Sequence, residues 1–317
     1  MELINKKILV TGGSGFLGGH IIEKLKWVKV QVLAPSHKEL DLVQIENCRD
    51  YFSRNRPNLI IHCAGAISGL LNILKNPAEI FDTNLRININ VLKAAHACGV
   101  EKLVNIGSTC AYPGELPTGY FREDEFLNGP MHFSVEAYGF SKRAMYVGST
   151  AYRKQYSFNS ITLLLTNLYG PGDVFSIERA HVASALIKKF IVAKKENLPE
   201  VEVLGSGKAV REFLYVEDAA EAIIRAANMY DEEMPLNVGT GEEIPIAILA
   251  EMIKELSGYT GKIVWNKKGP DGALRKVSDI SRIKSKLGWQ PKYYLREGLK
   301  STIQWFEDNY DTAVSRV

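Results

Sequence analysis

A glycine-rich turn between a short apolar strand and an amphipathic helix constrains the fold of this chain more than any other feature. The segment KILV is followed by TGGSGFLGGH, in which Gly12, Gly15 and Gly18 are regularly spaced. Glycine permits a tight turn and close backbone approach, and the N-terminus of the following helix offers N–H groups and partial positive charge. The order of strand, turn and helix predicts a site for a dinucleotide pyrophosphate.

Short apolar runs alternate with amphipathic runs through the first half of the chain, which is typical of a parallel sheet covered on both faces. We predict strands at 7–10, 30–33, 59–63, 102–106 and 161–165, and helices at 15–26, 46–55, 77–98 and 135–155. The fold class is therefore α/β, with a Rossmann-type doubly wound parallel sheet. We place this domain at 1–172, completed by part of 211–240, and a smaller α/β substrate-binding region at 173–317.

Composition excludes several classes of function. A formal net charge of +3 is too small to indicate a nucleic-acid partner. The four cysteines form no CxxC pair, which favours free thiols in a reducing cytoplasm. We expect no metal site, because the histidines are scattered, and no membrane span, because no apolar run is long enough.

The segment after the second strand bears on the choice of cofactor. NAD-binding folds usually place an acid near the ribose hydroxyls there. Here the segment reads APSHKEL, with His37 and Lys38 in place of an acid at the strand tip. These residues suit a 2′-phosphate, so we predict NADP(H), with NAD as the open alternative.

A serine, a tyrosine and a lysine form a second pattern. The strand KLVNI runs into GSTCAYP, which carries Ser108, and a later helix carries YGFSK, with Tyr138 and Lys142 one helical turn apart. An ammonium near a phenol favours proton exchange close to neutral pH, and a serine hydroxyl can bind the same substrate oxygen. The set predicts hydride transfer at a carbon that bears oxygen.

Together with TNLYGPGD, the GSG and REFLYVEDAA stretch and NVGTG, these motifs make nearly the whole chain resemble the extended short-chain dehydrogenases that act on nucleotide sugars. Within that family the chain is most similar to the GDP-L-fucose synthases, which epimerise and reduce a GDP-4-keto-6-deoxyhexose. The narrower resemblance rests on Cys110, His181, TNLYGPGD and PDGALRK. Three positions depart from this resemblance. Leu204 stands where that family has an aromatic residue, and Lys189 and Ser14 stand where it has arginines.

The resemblance implies roles for individual residues. Cys110 and His181 would be the acid–base pair of epimerisation, while Ser108, Tyr138 and Lys142 would serve reduction of the ketone. Substrate contacts would come from Thr109, Asn167, Lys189, Arg211 and Asp271. The cofactor would contact Gly12, Ser14, Gly15, Phe16, Leu17, Gly18, His37, Lys38, Asp41, Leu42, Ala64, Ile106, Gly107, Tyr138, Lys142, Leu165, Asn167 and Leu168.

The resemblance also implies a homodimer, formed through the helices around 84–98 and 136–152. Ala94, Ala95, Ala97, Ala144 and Ala151 would let those helices approach closely. Two other functions stay open at this point. One is a redox-neutral, NAD-dependent sugar 4-epimerase that uses the same serine, tyrosine and lysine. The other is a non-catalytic dinucleotide-binding scaffold, which the intact tyrosine disfavours.

Overall fold

The computed structural model describes residues 2–66, 69–116, 119–176, 179–269 and 272–315. Its strands are β1 (Lys7–Thr11), β2 (Gln31–Leu33), β3 (Leu59–His62), β4 (Lys102–Ser108), β5 (Ser160–Leu165), β6 (Asn167–Tyr169), β7 (Glu200–Leu204), β8 (Val210–Arg211), β9 (Phe213–Tyr215), β10 (Leu236–Val238), β11 (Ile244–Pro245), β12 (Lys262–Asn266) and β13 (Arg275–Lys276). Its helices are α1 (Phe16–Leu25), α2 (Ile45–Asn55), α3 (Leu70–Lys75), α4 (Pro77–Ala97), α5 (Glu136–Tyr156), α6 (Val182–Lys195), α7 (Val216–Met229), α8 (Ile246–Ser257), α9 (Ser281–Leu287), α10 (Leu295–Asp308) and α11 (Tyr310–Ser315).

The central sheet is parallel throughout, in the order β10-β5-β4-β3-β1-β2. The doubly wound Rossmann-type sheet predicted from the sequence is confirmed. β2 pairs with one edge of β1, and β3, which follows it in the chain, pairs with the other edge. This reversal opens a crevice at the carboxyl ends of β1 and β3, where open α/β sheets bind their ligands.

Each face of the sheet is covered by helices. Ile8 and Val10 of β1 pack with α1 and α7, whereas Leu9 between them packs with α2 and α4. All three side chains are fully buried. A strand buried on both faces has no polar side, which is why these strands read as continuous apolar runs rather than alternating ones.

The segment after the first five strands returns to the sheet. β10 pairs with β5, and α7 packs against α1. Neither β10 nor the short helix α3 is among the predicted elements, because runs this short show no clear periodicity. The remaining strands form smaller groups, with β7 beside β12, β8 between β11 and β13, and β6 beside β9. A second core, formed by α6, α8, α10 and the strands beside them, supports these groups.

A buried carboxylate connects the smaller strands to the end of β10. Glu212 accepts backbone N–H bonds from Thr240 at 2.5 Å, Gly241 at 2.7 Å and Ser278 at 3.0 Å. Burial raises the pKa of this carboxyl, while the backbone donors oppose the rise. Glu212 thereby fixes the strand that carries Arg211 and the strand that carries Lys276 relative to the sheet.

The outer surfaces of α4 and α5 are partly apolar. Ile89, Phe140 and Val147 are 47%, 50% and 49% exposed. Ala94 and Ala95 are instead fully buried in the core beneath α4, so the prediction that they help two subunits approach is wrong. Among the helices that the structure describes, none combines the length and the apolar character needed to cross a membrane.

Candidate active site

The glycine-rich turn brings the backbone of β1 and α1 close to β3. Gly12 has a φ of +69°, and a Cβ there would lie 2.9 Å from backbone atoms of Ala64. A Cβ on Gly18 would collide with the Gly12 carbonyl oxygen, and the Gly15 N–H donates to that same oxygen at 3.0 Å. α1 begins at Phe16, so the N–H groups of its first turn have no partner within the helix and are available to a ligand at this turn. The turn can therefore hold a pyrophosphate.

A cleft of about 820 Å³ extends from this turn along the carboxyl edge of the sheet. The predicted cofactor contacts that line it are Gly12, Ser14, Gly15, Phe16, Leu17, Gly18, His37, Asp41, Leu42, Ala64, Ile106, Gly107, Tyr138, Lys142, Leu165, Asn167 and Leu168. Lys38 is exposed and lies outside the lining. Thr109, predicted to contact substrate, lines this cleft, as do Asp173 and Arg179, which sequence reasoning misses.

Tyr138 and Lys142 project from α5 into the same cleft, and both are buried. The Lys142 ammonium donates to the Ile106 carbonyl at 2.9 Å and lies 5.8 Å from the centroid of the Tyr138 ring. Burial is the main cause that raises the pKa of the Tyr138 phenol, and the electrostatic effect of Cys110 adds to it. A hydrogen bond from Ser108 acts in the opposite direction. This rise is the opposite of the direction expected from Lys142 alone. A phenol whose pKa is ordinary or raised holds its proton at neutral pH, so Tyr138 has a proton to donate.

We expect the rate of the predicted hydride transfer to fall as pH rises through about 8, because burial lowers the pKa of Lys142 to about 8. Above this pH the ammonium loses its proton, and with it the charge that stabilises the phenolate formed when Tyr138 gives up a proton. The measurement is kcat/KM against pH at saturating cofactor. Lys142→Arg, which stays charged, should lose the alkaline decline even if its overall rate is lower. A wild-type profile that stays flat well above this pH would contradict the assignment.

A buried hydrogen-bond network lies beneath this pair. His62 receives a hydrogen bond at Nδ1 from Thr11 Oγ1 at 2.8 Å and donates from Nε2 to Asn88 Oδ1 at 3.2 Å. Asn88 in turn donates to the carbonyl of Ser141, between Tyr138 and Lys142, at 3.1 Å. Burial, then the Lys142 charge, lower the pKa of His62 to about 3, so the ring is neutral and one nitrogen accepts while the other donates. The network anchors the turn of α5 that carries Tyr138 and Lys142 to β1, β3 and α4.

Replacing Asn88 with Leu should lower the free energy of unfolding by about 1–3 kcal/mol, because it leaves the His62 N–H buried without a partner and removes the bond to the Ser141 carbonyl. Urea denaturation measures the loss. Lys300→Leu, an exposed change on α10, is the control and should cost less than about 0.5 kcal/mol. A loss from Asn88→Leu no larger than that of the control would show that the network does not stabilise the fold.

Cys110 and His181 lie where the cofactor cleft meets a second cavity, and both residues line both cavities. Cys110 belongs to the 3-10 turn Thr109–Ala111 that follows β4, and its N–H donates to Ser108 Oγ at 3.1 Å. His181 is the N-cap residue of α6. The fold therefore brings two groups capable of acid–base chemistry to one junction from two separate elements.

The second cavity measures about 280 Å³, and we call it the substrate pocket. Of the predicted substrate residues, Asn167, Lys189 and Arg211 line it, whereas Asp271 lies outside the described residues. The Lys189 ammonium donates to the Glu202 carbonyl at 2.7 Å. Lys276 of the PDGALRK segment, which is not among the predicted substrate contacts, also lines the pocket. Among the described lining residues there is no carboxylate, so the pocket suits an anionic ligand.

The fold and the site together define a class of protein. The chain belongs to the NAD dependent epimerase/dehydratase family, whose model matches residues 8–239. The resemblance to the nucleotide-sugar enzymes, and the class of enzyme predicted from the sequence, are therefore confirmed.

Individual relatives agree over nearly the whole chain. GDP-L-fucose synthase 1 of Arabidopsis thaliana is 37% identical over 96% of this chain and 94% of its own length. The crystal structure of a GDP-6-OMe-4-keto-L-xylo-heptose reductase from C. jejuni has a TM-score of 0.91 at 29% identity, covering 98% of this chain and 99% of that one. The crystal structure of a GDP-L-fucose synthetase from Naegleria fowleri bound to NADP has a TM-score of 0.89 at 29% identity, covering 99% of this chain and 97% of that one.

Proposed function

We propose that this protein converts a GDP-4-keto-6-deoxyhexose to the corresponding GDP-6-deoxyhexose, by epimerisation at C3 and C5 and NADPH-dependent reduction at C4. Relatives named GDP-L-fucose synthase support the proposal, among them the Arabidopsis thaliana protein. The observation that carries the proposal is the junction of two cavities. Tyr138 reaches it from the cofactor side, and Cys110 and His181 line both sides.

The cofactor cleft fits NADP(H). The turn at Gly12 and Gly18 leaves space that a Cβ would fill, and the start of α1 offers N–H donors to the pyrophosphate. His37 lines the cleft where a 2′-phosphate would lie. Bound there, NADPH supplies a hydride to C4 of the sugar.

Tyr138 donates the proton during reduction. Its phenol gives a proton to the 4-oxygen as the carbonyl becomes an alcohol, and Ser108 donates a hydrogen bond to the same oxygen. Lys142 stabilises the phenolate that remains. Solvent then returns the proton to Tyr138.

Epimerisation uses the two groups at the junction. The Cys110 thiolate removes the proton from the carbon beside the ketone, and the electron pair moves onto the 4-oxygen as an enolate. Tyr138 and Ser108 stabilise this enolate through hydrogen bonds. His181 then delivers a proton to the opposite face, and exchange with solvent restores both groups before the second carbon reacts.

The nucleotide occupies the remainder of the substrate pocket. Lys189 and Arg211 supply positive charge for the diphosphate, with arginine suited to bidentate contact. Val203, Leu204 and Ile246 form an apolar wall where the base can pack. Leu204 can cover a base but cannot stack on it as an aromatic side chain would.

The test is incubation of the purified protein with GDP-4-keto-6-deoxy-D-mannose and either NADPH or NADH. We expect stoichiometric oxidation of NADPH, slower oxidation of NADH, and a GDP-6-deoxy sugar inverted at C3 and C5. The UDP analogue of the substrate is the matched control for the base. Retention of the hydride within a 4-epimerised sugar, with no net NADPH oxidation, would overturn the proposal in favour of a redox-neutral 4-epimerase.

We further propose that the protein forms a homodimer through α4 and α5. The exposed apolar side chains Ile89, Phe140 and Val147 support this, because two such helices from each subunit can pack as a bundle. The expected particle mass on a calibrated sizing column is that of a dimer. Val147→Asp should shift it to that of a monomer, whereas Trp27→Asp, at a residue 92% exposed outside these helices, should leave it unchanged. A wild-type monomer at micromolar concentration would contradict the proposal.

The cytoplasm is the compartment we propose for this activity. Cys48, Cys63, Cys98 and Cys110 are free thiols in the structure. The proposed chemistry needs Cys110 reduced, because only a thiolate can accept the substrate proton. A reducing compartment meets this need.

A further inference from the structure

The Cys110 thiol is in contact with a charged side chain from a distant part of the chain. Lys276 Nζ lies 3.7 Å from Cys110 Sγ, within hydrogen-bonding range for sulfur. Both residues line the substrate pocket and both are half-buried. The contact joins β13 to the turn that follows β4, across 166 residues of sequence.

The backbone that carries Lys276 is held on several sides. In β13, Lys276 pairs with Arg211 of β8. The next residue, Val277, is fully buried, and its carbonyl accepts the Phe121 N–H at 2.8 Å. The Ser278 N–H donates to the buried Glu212 carboxylate at 3.0 Å. The ammonium therefore extends from a fixed strand and not from a mobile loop.

Among the described residues that line the substrate pocket with Cys110, the titratable groups are neutral or cationic. Tyr138 and Lys142 of α5 and His181 at the start of α6 line the cavities that meet at the thiol. Arg211 lies beside Lys276, and both act on His132, whose pKa is lowered first by burial and then by these two charges.

The carboxylates near this cluster lie outside the described lining of the substrate pocket: Glu212 is bound to the Ser278 N–H, and Asp173 lines the adjoining cofactor cleft. The exposed Glu115 carboxylate raises the pKa of His132 and so opposes the effect of Lys276 and Arg211. The described residues that line the substrate pocket include no acid. An ammonium in contact with a thiol, with no acid between them, favours the thiolate.

We propose that Lys276 is a positioning residue that pairs with the Cys110 thiolate and keeps it ready to remove the substrate proton. The inference rests on the proposed epimerase function. When the thiol ionises its proton passes to solvent, and the resulting thiolate accepts hydrogen bonds from the Lys276 ammonium. When the thiolate takes a proton from the sugar carbon, the S–H bond forms and the electron pair remains on the substrate as the enolate. Lys276 keeps its own protons throughout.

A different role for Lys276 is contact with the substrate diphosphate, and the two roles predict different results. A phosphate contact affects substrate affinity and leaves the free thiol unchanged. A thiolate partner affects the thiol before any substrate is present. Lys189→Gln is the matched control, because Lys189 lines the same pocket but its ammonium is bound to the Glu202 carbonyl.

The first experiment follows alkylation of Cys110 by iodoacetamide against pH, in the full-length protein without substrate, with the modified peptide quantified by mass spectrometry. In Lys276→Gln we expect the rate near neutral pH to fall about tenfold and the midpoint of the profile to rise by about one pH unit, as loss of one favourable charge contact predicts. Lys276→Arg should restore the wild-type profile, and Lys189→Gln should match it. A Lys276→Gln profile that superimposes on the wild-type profile would overturn the proposal. Because no sugar is involved, this readout does not depend on the proposed function.

The second experiment measures exchange of substrate protons with D₂O. Lys276→Gln should lower the maximal exchange rate about tenfold with little change in KM. A raised KM with an unchanged maximal rate would show a diphosphate contact and would also overturn the proposal. If Lys276→Gln fails to fold, as circular dichroism would show, Lys276→Met takes its place in both experiments. Absence of exchange in the wild type, with an altered alkylation profile in the variant, would reject the epimerase function while leaving the Lys276–Cys110 pair intact.

Discussion

Tyr138→Phe should lower the rate of ketone reduction by about 10²–10⁴-fold while leaving the affinity for NADPH nearly unchanged. The expectation follows from the protonation state of the phenol. A tyrosine phenol is protonated at neutral pH and burial raises its pKa further, so Tyr138 holds the proton that the 4-oxygen needs when hydride arrives. Phenylalanine keeps the ring and its packing but removes that proton. Single-turnover NADPH oxidation measures the chemical step, and cofactor fluorescence titration measures the affinity.

Tyr152→Phe is the matched control for this change. Tyr152 lies on the same helix, and its ring packs against His96 away from the cleft. We expect the Tyr152→Phe variant to reduce the ketone at nearly the wild-type rate. A Tyr138→Phe variant that also retained most of its rate would place the proton donor elsewhere and would reopen the scaffold interpretation.

Cys110→Ala should abolish exchange of the C3 and C5 protons with solvent, a loss of at least about 10²-fold, while reduction chemistry survives. The thiol is the group that the fold places at the junction of the two cavities together with His181. Alanine fits the site but cannot accept a proton. Given a ketone already inverted at both carbons, the variant should oxidise NADPH at close to the wild-type rate, because Tyr138, Ser108 and Lys142 are unchanged.

Cys98→Ser is the control for thiol replacement. Cys98 lies at the end of α4, where its sulfur is 3.3 Å from Ser53 Oγ and remote from the cleft. It should leave both exchange and reduction intact. Normal deuterium exchange by Cys110→Ala would show that another group is the base and would remove the basis for the Lys276 inference.

Local patterns were sufficient to predict much of the fold. The glycine turn, the continuous apolar strands and the pairing of Tyr138 with Lys142 all depend on residues within a few positions of each other. The structure has β1 at Lys7–Thr11 where the sequence predicts 7–10, and α4 at Pro77–Ala97 where it predicts 77–98. Differences of one or two residues reflect the fraying and capping of element ends.

The features that sequence reasoning missed are long-range ones. Lys276 reaches Cys110, and Glu212 joins Thr240 to Ser278, through contacts between segments that no local period connects. Burial was also decisive for Tyr138, whose pKa moves opposite to the direction expected from a neighbouring lysine. Desolvation depends on what covers a residue, and spacing along a helix does not contain that information.

The most direct test of the central claim is one reaction in D₂O with NADPH deuterated at the transferred position, analysed by NMR of the sugar product. The account predicts solvent-derived deuterium at C3 and C5, cofactor-derived deuterium at C4, and inversion at C3 and C5. Deuterium at C4 alone, without inversion, would contradict it and identify a simple 4-keto reductase. A product that carries no cofactor deuterium would contradict the reductive step itself.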